Sequence, residues 1–373
     1  AGDPFEVAMA VVNPENGYID ALVGGRDYES SQVNMATGEG GAGRQAGSSF
    51  KLFTLLAAIN EGIDPETLID AGYKVDLEGG EPVYNNDKAD YGTRTIKSAF
   101  GVSSNTAFIR LLLSVGVDKV IEMAHAMGIT SDLPAVAGLT LGIGSVTPLE
   151  MADAYATVAN GGVHYDPECI ISIEDKNGNV IVDNTDPTGE RVFSREVARA
   201  ALDCMEVVID NGTGKAARPD NGQEAGGKTG TTDDSVDQWF VGVTPYYVGV
   251  CWLGYDSRYK TDEAGNIQYN KYGVAIPNSI RYSSYPPPKI WKAIMSQVHE
   301  GASGKAFETS NNVTAYEYCK LTGMLAGPGC SETATGWYKN SNIPQVCSYH
   351  NYGSSYGVPL VGMTAAECGV EYA

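Results

Sequence analysis

The sequence contains no run of 18 or more apolar residues, the length that a membrane-spanning helix needs. Basic residues are also scarce: 25 Lys and Arg stand against 46 Asp and Glu, which leaves a net charge of −21. Such a surface repels phosphate groups and argues against a nucleic-acid-binding role. The first residues lack the basic and apolar layout of a signal peptide. We therefore expect either a soluble protein or a piece of a longer one.

Metal-ligand spacings are equally sparse, because no two cysteines have the C-x-x-C spacing of many zinc sites. The four histidines show no metal-ligand spacing by this criterion; they are His125, His164, His299 and His350. We expect no metal and no cofactor. Three cysteines lie in apolar or helical contexts and are expected to fill the core; they are Cys169, Cys204 and Cys251.

The other four cysteines fall within the last 55 residues: Cys319, Cys330, Cys347 and Cys368. Two disulfides in a small, loop-rich tail are expected, which implies an oxidising, extracytoplasmic setting. Four cysteines allow three connectivities, and we expect the sequential one, Cys319 with Cys330 and Cys347 with Cys368. Residues 301–304 resemble a linker. The predicted domains are therefore residues 1–300 and a Cys-rich extension, residues 301–373.

The hydrophobic pattern predicts an α+β fold, with an antiparallel sheet flanked by helices and a mostly helical subdomain. Predicted strands lie at 6–12, 18–24, 225–232, 237–244 and 247–253, with a further hairpin at 170–183. Predicted helices lie at 48–61, 104–115, 117–127, 148–160, 194–210 and 289–300. Residues 62–94 read as irregular. Thr147 and Glu150 form a capping box at the start of the fourth helix.

Ser48-Ser49-Phe50-Lys51 reads S-x-x-K and pairs a nucleophile with a base. Ser48 is predicted to open a helix, where free backbone N–H groups favour developing negative charge. Lys51 follows three residues later, so both side chains share one helix face. Burial and nearby positive charge would lower the pKa of Lys51, and its neutral amine could then accept the serine proton.

Ser103-Ser104-Asn105 lies between two predicted helical segments. Ser103 could relay a proton to a leaving amine, and Asn105 could orient a substrate amide or Lys51. The motif S-x-N alone would more often be a helix N-cap. A catalytic interpretation of this motif therefore depends on the other two motifs.

Lys228-Thr229-Gly230-Thr231 begins a predicted strand. Gly230 would allow a ligand to approach the backbone closely. Thr229 and Thr231 share one face of the strand, because side chains alternate. With Lys228, their hydroxyls could bind a substrate carboxylate.

The three motifs together are far more specific than any one of them. They occur in fixed order, 55 residues from Ser48 to Ser103 and 125 from Ser103 to Lys228. This trio is the signature of penicillin-binding proteins and class A β-lactamases.

From about Phe5 to Gln297 the chain resembles the transpeptidase domain of class A, bifunctional penicillin-binding proteins. Further segments that carry the resemblance are 44–51, 141–150, 154–162, 211–214 and 237–242. Two positions depart from the family pattern, since Ala46 and Leu52 stand where the family usually has Pro. Both changes affect the stiffness of the chain beside the nucleophile and leave the reacting groups in place.

The resemblance implies a serine-type D,D-transpeptidase that cross-links peptidoglycan stem peptides and is acylated by β-lactams. Ser48 would attack the penultimate D-Ala carbonyl, Lys51 would be the base, and Ser103 would protonate the departing D-Ala. The N–H groups of Ser48 and Thr231 would form an oxyanion hole. The strand from Lys228 to Thr231 would hold the terminal carboxylate. An amine of a neighbouring stem peptide would complete the cross-link.

The same resemblance implies a location on the extracytoplasmic face of a bacterial membrane. Class A members carry a membrane helix and a glycosyltransferase domain ahead of this region, and neither is in this sequence. The expected partners are stem peptides, as donor and amine acceptor, and β-lactams. Any membrane contact would come through the missing N-terminal anchor.

Three alternatives remain open to different degrees. A class A β-lactamase needs a base for deacylation, and Glu150 is the tempting candidate, but its place in the capping box gives it a structural role. A D,D-carboxypeptidase shares the acylation step and differs in using water. A non-enzymatic β-lactam sensor or wall-binding module would not need the intact trio.

Overall fold

Five antiparallel strands form the central sheet of this computed structural model: β1 (Glu6–Val12), β2 (Ile19–Val23), β3 (Gly226–Thr231), β4 (Gln238–Val243) and β5 (Val248–Gly254). Their order across the sheet is β3-β4-β5-β1-β2. The structure describes residues 5–29, 31–38, 43–77, 79–262, 264–280, 285–302, 304–308, 313–320, 322, 324–340, 343–348 and 350. The predicted α+β architecture is confirmed.

Seven α-helices surround this sheet within the described ranges. They are α1 (Lys51–Asn60), α2 (Ile96–Gly101), α3 (Asn105–Val115), α4 (Val117–Ala126), α5 (Pro148–Ala159), α6 (Arg195–Asp210) and α7 (Pro286–Val298). A 3₁₀ turn, Gly47–Phe50, leads into α1. None of the helices so described combines the length and apolar character needed to cross a bilayer.

Short antiparallel strand pairs lie in the connections between these helices and strands. They are Arg44–Gln45 with Ser145–Val146, Leu68–Asp70 with Thr93–Thr95, Lys74–Val75 with Val83–Tyr84, Val163–His164 with Glu190–Arg191, and Ser172–Glu174 with Val180–Asp183. The first pair holds the segment before Ser48 against the segment before α5. The region 62–94, predicted to be irregular, thus contains several short strands.

The sheet is buried on both faces at β1, β4 and β5, whereas the edge strand β2 is largely exposed. Ala8, Ala10 and Val12 face the main core, which α1, α5 and α6 complete. Met9 and Val11 face a second core, which includes Trp291 of α7. Alternate side chains of a strand point to opposite faces, so the interior strands of the sheet are packed on both sides.

The C-terminal hairpin consists of β6 (Val313–Cys319) and β7 (Thr333–Lys339), which pair antiparallel. It packs on the helices of the main body: Lys97 of α2 donates to the Thr335 carbonyl at 3.3 Å and to Asp203 of α6 at 2.5 Å. Phe307 is buried in the main core. Described residues beyond 300, in the hairpin and at Phe307, therefore pack against the body of the protein.

Two sequence-based expectations need correction here. The last helix, predicted at 289–300, begins earlier, at Pro286, because proline fits the first turn of a helix, where the N–H has no helical partner. Cys169 is exposed, whereas Cys204 and Cys251 are buried as expected.

The expected pairing of Cys319 with Cys330 is wrong, because no disulfide joins these two residues. Their sulfurs lie instead beside Cys347 and His350. The partner expected for Cys347, Cys368, is outside the described residues.

Candidate active site

The three motifs meet at one cleft of about 510 Å³. Ser48 lies in the 3₁₀ turn before α1 and is half-buried at the cleft wall. Ser103 and Asn105, at the start of α3, line the same cleft. Thr229 and Thr231 of β3 also line this cleft. The fold therefore brings together residues that are up to 183 positions apart in the sequence.

Lys51 is completely buried at the first turn of α1, where it is hydrogen-bonded to the Ser103-Ser104-Asn105 motif. Its Nζ donates to the Ser103 carbonyl and to Asn105 Oδ1, each at 2.7 Å, and lies 3.3 Å from Ser103 Oγ. A neutral lysine amine has two N–H groups, and these two acceptors can hold both. The lone pair then remains available to accept a proton.

Burial and the neighbouring Lys228 lower the pKa of Lys51 well below that of an ordinary lysine. An amine far from water loses the hydration that stabilises its charged form, and a second cation nearby adds repulsion. Both effects favour the neutral amine, in the direction expected from the sequence. Lys228 is itself fully buried, which lowers its pKa to about 7.

The structure places Lys228 differently from the sequence-based expectation. Lys228 is completely buried, and its Nζ donates to Ser103 Oγ at 2.9 Å. It is not among the described residues that line the cleft, unlike Thr229 and Thr231. Strand alternation explains the difference, since Lys228 lies on the face opposite Thr229. Ser103 Oγ thus contacts two buried lysine amines, those of Lys51 and Lys228.

Ser103 has a strained backbone, with φ at +58°. A left-handed conformation is costly for a residue other than glycine, and such residues cluster at functional sites. Here it turns the Ser103 carbonyl and hydroxyl toward the same lysine amine.

The nucleophile turn and β3 are in direct backbone contact. Gly47 has φ at +56°, and a Cβ built on it would lie 2.8 Å from the Thr231 nitrogen. Gly230 would likewise collide with the Ala46 carbonyl oxygen if it carried a Cβ. This approach places the peptide units of Ser48 and Thr231 side by side, as an oxyanion hole requires.

Several residues that position the site lie outside the three motifs. Asn85 is buried, and its Oδ1 accepts from the backbone N–H of Asn105 at 2.8 Å. Thr213 lines the cleft, with its Oγ1 2.7 Å from Thr229 Oγ1. The Tyr285 hydroxyl donates to the Gly230 carbonyl at 2.5 Å. Thr213 belongs to a segment that carried the family resemblance, whereas Asn85 and Tyr285 lie in none.

Glu150 performs the capping role predicted from the sequence. Its Oε2 accepts from the Thr147 N–H at 2.7 Å, while Thr147 Oγ1 accepts from the Glu150 N–H. Its other oxygen accepts from Thr130 and Ser131. Burial by itself raises the pKa of Glu150, but these hydrogen bonds outweigh it, and the pKa is lowered. The carboxylate is fully occupied and is not among the cleft-lining residues.

Glu150→Gln should therefore leave the lifetime of a penicillin adduct unchanged while lowering the free energy of unfolding by about 1–2 kcal/mol, the cost of a damaged cap. Thermal denaturation and the time course of adduct decay by mass spectrometry measure the two effects. A much longer-lived adduct in the variant would show that Glu150 activates water.

Comparison with known proteins agrees with this geometry. Residues 7–255 match the model of the family described as "Penicillin binding protein transpeptidase domain". Penicillin-binding protein 2D of Bacillus subtilis is 29% identical over 93% of this chain and 49% of its own length. Penicillin-binding protein 1A of Aquifex aeolicus is 38% identical over 68% of this chain and 35% of its own. The chain thus spans half or less of the length of these relatives.

Two solved structures of penicillin-binding proteins are similar to this chain. PonA1 of Mycobacterium tuberculosis, in complex with penicillin V, superposes with a TM-score of 0.69 at 28% identity, covering 82% of this chain and 81% of that one. Penicillin-binding protein 1A of Haemophilus influenzae shares the fold, with a TM-score of 0.76 over 91% of this chain and 54% of that one, at 23% identity. The predicted resemblance is confirmed: this chain belongs to the family of penicillin-binding protein transpeptidase domains.

Proposed function

We propose that this chain is a serine D,D-transpeptidase that joins peptidoglycan stem peptides and is acylated by β-lactams. One observation carries the proposal: Ser103 Oγ lies within hydrogen-bonding distance of two buried lysines, beside the cleft that Ser48 lines. This arrangement supplies a nucleophile, a base and a route for the proton. PonA1, a relative of similar fold, binds penicillin V.

In the acylation step, Ser48 Oγ attacks the carbonyl carbon of the penultimate D-Ala. Its proton passes to the neutral amine of Lys51, whose N–H groups are held by Ser103 and Asn105. The carbonyl π electrons move to oxygen and form a tetrahedral oxyanion. The N–H groups of Ser48 and Thr231 stabilise this charge, as the contact between Gly47 and β3 allows.

Collapse of the tetrahedral adduct breaks the C–N bond to the terminal D-Ala. The leaving amine takes a proton from Ser103 Oγ, and Lys51 returns the serine proton to Ser103. The hydroxyls of Thr229 and Thr231 hold the terminal carboxylate, and Lys228 acts through Ser103. The donor backbone lies along β3 as an added strand.

An amine of a second stem peptide then attacks the acyl carbon, and its proton returns through Lys51 as Ser48 is released. We assign this step to the extracytoplasmic face of a bacterial membrane, where the donor and acceptor peptides are found. Residues 1–300 form the catalytic domain in this proposal, and residues 301–373 form the Cys-rich extension.

A donor peptide ending in D-Ala-D-Ala, incubated with an amine acceptor, tests the proposal when both products are counted. We expect the amide-linked product to exceed the hydrolysis product, and neither to form with Ser48→Ala. Hydrolysis alone would make the protein a D,D-carboxypeptidase. No turnover of donor by the folded wild-type chain would favour the sensor or wall-binding alternative.

A further inference from the structure

Four side chains that bind soft metals converge in the C-terminal extension, away from the cleft. Cys319 ends β6, Cys330 lies in the connection to β7, and Cys347 and His350 follow β7. Their ligand atoms all lie within 4.8 Å of one another. Cys319 and Cys347 are buried, and the other two are half-buried.

The spacing of these atoms fits one tetrahedral ion. The sulfurs of Cys319, Cys330 and Cys347 lie 3.8, 3.3 and 3.5 Å from His350 Nδ1. Bonds of about 2.3 Å to sulfur and 2.0–2.1 Å to nitrogen place neighbouring ligands of a tetrahedral zinc about 3.5 Å apart. The cluster already has the dimensions of such a site.

The backbone around the cluster is arranged to hold these ligands. The Gly327 N–H donates to Cys330 Sγ at 3.3 Å, a bond that orients a metal-binding sulfur. Leu325 links the β6–β7 connection to the segment that contains Cys347. Its carbonyl accepts from the Cys347 N–H at 2.7 Å, and its N–H donates to the Gln345 carbonyl at 3.1 Å. A Cβ on Gly329 would collide with the His350 carbonyl.

Disulfide chemistry accounts for this cluster less well. One disulfide would use two of the three sulfurs and leave a thiol and the imidazole without a role. Bonded sulfurs lie about 2.05 Å apart, and the described structure contains no such bond among these cysteines. Cys347 and His350 are three residues apart, a cysteine–histidine spacing that the C-x-x-C pattern does not include.

We infer that Cys319, Cys330, Cys347 and His350 form a structural zinc site. Three thiolates and an imidazole suit zinc, whereas magnesium and calcium take oxygen ligands. All four positions are filled by protein, as in structural sites. The ion would tie the β6–β7 connection to the segment after β7. This site is independent of the acyl-transfer chemistry at Ser48.

Metal analysis of the purified, reduced chain after loading with zinc and removal of excess ion tests this inference. We expect about one zinc per chain, falling to near zero in Cys330→Ser and in His350→Ala. Cys169→Ser is the matched control, because Cys169 is an exposed cysteine outside the cluster, and should retain the ion. Cobalt in place of zinc should give the visible spectrum of a tetrahedral thiolate site, which is lost in the same two variants.

Circular dichroism of each variant establishes that the main body is folded. Absence of bound zinc or cobalt in the folded, reduced wild-type chain would overturn the inference. Unchanged metal content in Cys330→Ser and His350→Ala would also overturn it. So would a disulfide between Cys319 and Cys330, found by peptide mapping of protein isolated with zinc and without reductant.

Discussion

Replacing Lys51 by methionine should slow acylation by penicillin V about 10³-fold, the scale of a lost general base. Methionine keeps the buried volume near Phe108 but removes the amine that Ser103 and Asn105 hold. The acylation rate of Lys51→Arg should fall by a similar factor, because a guanidinium stays charged and cannot accept a proton. Rates of adduct formation by mass spectrometry measure both variants. Recovery of activity in Lys51→Arg would mean that Lys51 supplies only charge.

The pH profile gives an independent readout of the same group. Burial and Lys228 lower the pKa of Lys51, so the neutral base is present at pH values where an ordinary lysine is charged. Below the lowered pKa Lys51 is protonated, and the acylation rate should fall tenfold per pH unit as the pH drops. Above it the rate should level off, well before the ordinary lysine pKa of 10.5. A rate that kept rising to pH 10.5 would contradict a lowered pKa.

Gly47→Ala should lower the acylation rate about 10²–10³-fold, the cost of losing one oxyanion-hole donor. The new Cβ would lie 2.7–2.8 Å from the backbone atoms of Thr231 and push β3 away from the Ser48 turn. Thermal denaturation should also show a loss of stability, because φ at +56° strains alanine.

Gly222→Ala is the matched control for this strain. Gly222 has φ at +74°, but a Cβ there meets nothing within 4 Å. The Gly222→Ala variant should have a free energy of unfolding lower by about 1–2 kcal/mol and an unchanged acylation rate. Equal acylation rates in Gly47→Ala and Gly222→Ala would show that the contact with β3 does not shape the oxyanion hole.

Much of the fold could be read from local pattern. The strands at 225–232, 237–244 and 247–253 and the helix at 194–210 were predicted to within two residues. Pairing between distant segments could not be read in this way. β1 pairs with β5, more than 230 residues away, and no turn connects these two strands.

The candidate site shows the same division between local and non-local information. Ser48, Ser103 and Thr231 were found because their motifs are short and local. Asn85, which positions Asn105, acts across 20 residues and has no motif. Lys228 was expected in the cleft although strand alternation already placed it on the other face from Thr229.

Intact-mass analysis after incubation with penicillin V tests the central claim most directly. Ser49→Ala is the neighbouring control, because Ser49 is buried and its hydroxyl is bound to the Ala46 carbonyl at 2.7 Å. We predict one lasting adduct on the wild-type chain and on Ser49→Ala, and none on Ser48→Ala. An adduct that persists on Ser48→Ala, or no adduct on the folded wild-type chain, would contradict the account.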